Sequence, residues 1–81
     1  MVVFEIWKVP ISEDYPESLK YSYYLVSEKT KQILVGYDNH PPKGHHRHWQ
    51  GREEPYEFES MEKLETDFYQ AVDEILRQGG L

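Results

Sequence analysis

Helical periodicity occurs once in this chain, at its C-terminal end. Met61, Leu64, Phe68, Val72 and Ile75 recur at spacings of three and four, which places one apolar stripe along an α-helix. Ser60 is a good N-cap, Glu62 and Glu65 suit the positive helix end, and Arg77 suits the negative one. Gly79 can take the left-handed conformation that stops the helix. The segments before Ser60 read as strands and turns, so the only helix must cover a sheet built by the preceding chain. The spacing predicts it over 60–77.

Upstream, Val2, Phe4 and Ile6 alternate with Val3, Glu5 and Trp7, a strand ending before Pro10. Ile11 to Lys20 reads as a loop. Tyr21 to Ser27 and Gln32 to Tyr37 are rich in β-branched and aromatic residues, and Glu28 to Lys31 between them suits a hairpin. Pro41, Pro42 and Gly44 make Asn39 to Gly44 a redirecting loop. His45 to Gln50 is a further strand, and Tyr56 and Phe58, alternating with Glu57 and Glu59, suggest a short last one. The expected fold is α+β: a small antiparallel sheet of four or five strands with one C-terminal helix packed on it. One domain spans residues 1–81, with the sheet over 2–58.

A chain of 81 residues buries a thin core. Seven Tyr, three Phe and two Trp compensate in part, and a partner or a homodimer could supply more cover. No cysteine is present, which excludes disulfides and thiolate-bound zinc and leaves a cytoplasmic location as the expectation. No basic leader or long apolar run suggests export or membrane insertion. No cofactor-binding motif stands out, and no cofactor is expected.

The formal net charge of −6 opposes long-range attraction to nucleic acid. Its distribution is uneven. Asn39 to Arg52 contains no acid and carries Lys43, Arg47 and Arg52, whereas Glu53 to Leu76 carries nine acids against Lys63 alone. The basic stretch also holds His40, His45, His46 and His48, all four histidines of the chain.

In a strand, His46 and His48 point one way and His45 and Arg47 the other. Three chemistries fit. In the first, a neutral imidazole takes the proton of an RNA 2′-hydroxyl and a protonated group gives one to the leaving 5′-oxygen. His46 and His48 are the candidates for those roles, with Arg47 and Arg52 on the phosphate and Tyr56 stacking a base or moving a proton. Asp38, Asn39, Lys43, Gly44, Trp49 and Glu53 complete the expected substrate-binding set, and Tyr37 is a further stacking candidate. In the second, the His-x-His pair chelates a divalent transition ion with His40, Asp38 or His45 completing the shell. No metal is required by the first reading; if one binds, His40, His46 and His48 are the expected ligands. In the third, Arg47, Arg52 and the aromatics dock onto an acidic or phosphate-bearing partner without catalysis. Glu53 and Glu54, adjacent in a strand, point to opposite faces and do not converge as an acid–base pair, so Glu53 is expected to orient an arginine or a histidine. Nucleophile elbows and glycine-rich phosphate loops are absent.

Ile6-Trp7-Lys8-Val9-Pro10, Gly36-Tyr37-Asp38-Asn39, Lys43-Gly44, His46-Arg47-His48, Gly51-Arg52-Glu53-Glu54-Pro55-Tyr56-Glu57-Phe58 and Asp67-Phe68, in this order and spacing, resemble the TumE family. His45 departs from that pattern, standing where an acidic residue is expected. The resemblance implies the toxin component of a bacterial toxin–antitoxin pair, with a cognate antitoxin similar to helix-turn-helix proteins and, by analogy of class, an action on RNA or translation. It assigns no catalytic residue; the roles above rest on side-chain chemistry.

Overall fold

The computed structural model describes residues 1–79. It is a five-stranded antiparallel meander, β1 (Val2–Lys8), β2 (Leu19–Val26), β3 (Ile33–Asp38), β4 (His46–Trp49) and β5 (Arg52–Pro55), followed by α1 (Met61–Arg77). Spatial order equals chain order. The α+β fold expected from the sequence is the one observed.

Alternation sorts the residues of β2 and β3. Tyr21, Tyr23, Leu25, Val35 and Tyr37 point to one face and meet Leu64, Phe68, Ala71, Val72 and Ile75 of the helix, forming the core. Phe68 is its centre, with its ring 5.4 Å from that of Tyr23 and 6.2 Å from that of Tyr37. The helix begins where Ser60 Oγ accepts the Lys63 N–H at 3.1 Å. It ends before Gly79, which is left-handed at φ 71°. A helix about 10 Å across covers only about two strand spacings of ~4.8 Å. Lying against β3, α1 therefore leaves β1 uncovered, and every β1 residue is exposed.

Two strand boundaries depart from the sequence reading. The loop expected over Ile11–Lys20 closes earlier, because Leu19 and Lys20 pair with Lys8 and Trp7. The last strand lies at Arg52–Pro55 instead of around Tyr56–Phe58. Gln50 and Gly51 form a two-residue turn with φ of 46° and 87°, the geometry that starts the return strand at once, with Trp49 opposite Arg52. After Pro55 one further backbone bond, Tyr56 N–H to His45 C=O at 3.2 Å, closes the pairing. Tyr56 and Phe58 do alternate with exposed Glu57 and Glu59, and they pack against the core from an irregular segment that leads to the helix.

Candidate functional site

The sheet face away from α1 carries Glu5, Trp7, Lys20, Ser22, Tyr24, Asp38, His46, His48 and Glu53, as the registers of the four strand pairs require. A cleft of about 450 Å³ opens over this face, bounded by Trp7, Lys20, Tyr24, Asp38, His46 and Glu53 with the His40–Lys43 loop. That volume lies within the range of small-ligand sites.

Asp38 organises the cleft floor. It is only 6% exposed and ends β3 on the cleft side. Its Oδ1 lies 2.8 Å from His46 Nε2, and its Oδ2 lies 3.8 Å from His48 Nε2. The Tyr24 hydroxyl donates to Oδ2, and the His40 backbone N–H donates to Oδ1 at 3.3 Å. Burial, followed by the bond to Asp38, pushes the Tyr24 phenol well above its ordinary pKa, so Tyr24 stays a protonated donor. A buried carboxylate is tolerated here because its lone pairs meet these donors.

His46 is fixed at both nitrogens. Nδ1 lies 2.8 Å from the Gly44 carbonyl, which can only accept, so Nδ1 carries hydrogen. Nε2 faces Asp38 Oδ1 and, at 3.2 Å, Glu53 Oε1. Two carboxylates at one ring nitrogen suit a protonated imidazolium or a coordinated cation. The His48 ring lies 5.0 Å from the His46 ring, edge to face, and its side chain is 29% exposed. Lys43 Nζ holds both Glu53 oxygens at 2.7 Å, and this bond keeps the Glu53 carboxyl below the usual carboxylate range.

Gly36 makes this arrangement possible. It sits opposite Tyr24 in the ladder, and the tyrosine ring lies across it. A Cβ at this position would come within 2.6 Å of Tyr24 Cε1 and 3.3 Å of His48 Cδ2. Gly36→Ala should therefore cost about 1–3 kcal/mol through overpacking. It should also detach Tyr24 from Asp38. Urea denaturation together with the Tyr24 ring resonances would check this, and unchanged values for both would contradict it.

The expected site residues divide between two faces. His46, Asp38, Lys43 and Glu53 come together at the cleft, and His48 stands on the same sheet face just outside its lining. Gly44, left-handed at φ 72°, supplies the carbonyl that orients His46. Asn39 is buried and clasps β2, accepting from the Tyr21 N–H at 3.0 Å and donating to the Leu19 carbonyl at 2.7 Å. Arg47 and Trp49 lie on the helix side, where the guanidinium sits 5.6 Å from the Tyr37 ring centre and 5.3 Å from that of Trp49. Arg52, opposite Trp49, shares that side, and Tyr56 donates to Asp67 of α1 at 2.6 Å. His45 is also there, between Tyr21 at 2.8 Å and Glu17 at 3.0 Å, stacked on Phe58. Glu53 and Glu54 point apart, with Glu54 3.0 Å from Arg47.

Trp7, Lys20 and Tyr24 are cleft residues that the histidine-centred reading does not include. Trp7 is 57% exposed on the cleft face. The signal available was its parity with Val3 and Glu5: an indole at a position where alternation against Val2, Phe4 and Ile6 calls for a polar residue. Among the described residues, the donor atoms grouped within 4.8 Å of one another belong to Asp38, His46 and His48. His40 contributes its backbone N–H to that group.

No helix of the described residues is long and apolar enough to cross a membrane. None of the curated proteins or solved structures compared with the chain matches it. The family model described as Toxin TumE, in contrast, matches residues 1–76, so the chain belongs to the TumE family of toxins.

Proposed function

We propose that this toxin-family chain acts in the cytoplasm on single-stranded RNA, cleaving a phosphodiester with His46 and His48. The observation that carries the reading is the Asp38 carboxylate between the Nε2 atoms of two histidines, His46 on the floor of an open cleft and His48 beside it on the same sheet face. His48, the more exposed ring, takes the 2′-hydroxyl proton as the 2′-oxygen bonds to phosphorus. The bond from phosphorus to the 5′-oxygen breaks, and His46 delivers a proton to that leaving oxygen. The products are a 2′,3′-cyclic phosphate and a 5′-hydroxyl. Asp38 is a positioning residue that holds the His46 ring at 2.8 Å and faces His48 at 3.8 Å, and Lys43 and Lys20 are the lysines that line the cleft for the phosphate. Trp7 offers an exposed indole face for an unpaired base, a contact worth about 1–3 kcal/mol. With a net charge of −6, affinity has to come from such local contacts.

This chemistry uses only protein groups. Purified chain in excess EDTA should cleave an RNA oligonucleotide, with mass spectrometry finding cyclic phosphate ends. RNA left intact would overturn the reading.

That outcome would favour the non-catalytic alternative, for which one observation speaks. β1 is an open sheet edge with Val2, Val3, Phe4, Ile6 and Trp7 all exposed, a surface suited to a protein partner. The partner in this proposal is the cognate helix-turn-helix antitoxin-like protein, with a second copy of the chain as the competing occupant.

A further inference from the structure

We propose that Asp38, His46 and His48 also form a binding site for a divalent transition-metal ion of the zinc or nickel class, and that the ion switches the histidine pair off. The metal site rests on donor geometry alone. The switching consequence rests on the RNA reading above.

Three donor atoms from three residues, two imidazole nitrogens and one carboxylate oxygen, lie within 4.8 Å of one another. A tetrahedral ion with bonds of about 2.0–2.1 Å needs ligand atoms roughly 3.3 Å apart. Asp38 Oδ1 lies 2.8 Å from His46 Nε2 and the other oxygen, Oδ2, lies 3.8 Å from His48 Nε2, so the side chains have to turn to bring a single oxygen near that spacing from both rings. Imidazole donors select zinc, nickel or copper over magnesium and calcium, which prefer oxygen.

The surroundings are those of a ligand set held in place. His46 donates Nδ1–H to a backbone carbonyl, which leaves Nε2 for the ion, and Asp38 is oriented by the Tyr24 hydroxyl and the His40 N–H. Glu53 Oε1, 3.2 Å from His46 Nε2, is a fourth ligand if it gives up Lys43; otherwise a water from the cleft fills that position. The two carboxylates facing one ring nitrogen are the feature that a cation explains as well as a proton does. When the ion binds, the Nε2 proton of His46 leaves to solvent. Neither imidazole then has a free lone pair to act as base or an imidazolium proton to give, and the N–H left on each ring is a weak acid, so loading the ion should abolish cleavage and chelation should restore it.

The test uses untagged full-length chain without RNA, titrated with zinc chloride by calorimetry, with bound metal counted after desalting. One equivalent should bind, and magnesium should not. In the wild-type chain the nitrogen resonances of the His46 and His48 rings should shift while those of His45 stay. His48→Gln, at a partly exposed position, should weaken binding ~10-fold or more, while His40→Gln leaves it unchanged. Absence of zinc binding would overturn the site, as would binding equal in His48→Gln or shifts confined to other histidines. Because RNA is absent, these outcomes are independent of whether the chain cleaves it.

Discussion

Phe68→Ala is expected to destabilise the fold by about 3–5 kcal/mol and to lower its urea midpoint sharply. The Phe68 ring is fully buried between Tyr23 and Tyr37. Removing it deletes the main contact through which α1 holds the sheet. Truncations of this kind cost about 3–5 kcal/mol from lost transfer energy and the cavity left behind. A domain of this size has a total stability of about 4–12 kcal/mol, so the change removes from about a quarter to all of it. Relaxation could refill the cavity only if α1 sank toward β3, and Leu64 and Ile75, already fully buried on either side, resist that movement. Circular dichroism during urea denaturation would measure the effect. A midpoint within experimental error of the wild type would show that the helix is not the main cover of the sheet.

The role of Phe68 could be read from sequence because helical spacing identifies a buried stripe without knowledge of what it contacts. The same holds for the facing of the β4 histidines: period-two alternation alone separates His46 and His48 from His45 and Arg47. Alternation does not say which strand lies opposite, and the identity of the site depends on that. Asp38 joins the histidines because β3 pairs with β4 in the register that sets it against His46. Trp7 and Lys20 reach the same cleft from 31 and 18 residues upstream of Asp38 only because β1 pairs with β2 and β2 with β3. Arg47 is near the histidines in sequence and on the opposite face in space, where the Tyr37 and Trp49 rings hold it. Tyr56 shows a comparable limit. Its alternation with Glu57 is a sign of half-burial, and half-burial was correct, but the turn at Gln50–Gly51 had already used the available ladder on Arg52–Pro55.

His48→Ala should lower RNA cleavage by about two to four orders of magnitude, the usual contribution of a positioned acid or base. Stability should change little, since the ring is partly exposed and its nearest charged partner is 3.8 Å away. This separation of effects makes His48 the more informative member of the pair. His46→Ala should reduce cleavage to a similar degree but also destabilise the fold, because it removes the Nε2 partner of the buried Asp38 carboxylate at 2.8 Å. His46→Gln keeps a hydrogen-bond donor without an acid–base group, so it should restore much of the stability and none of the activity. The measurements are cleavage rate in EDTA and urea midpoint for each variant. If both alanine variants cleave as the wild type does, the histidines are not the reacting groups. If His46→Gln is fully active, His46 serves only to hold Asp38, and the proton for the leaving oxygen comes from elsewhere in the cleft, where His40, Lys43 and Lys20 are the next candidates.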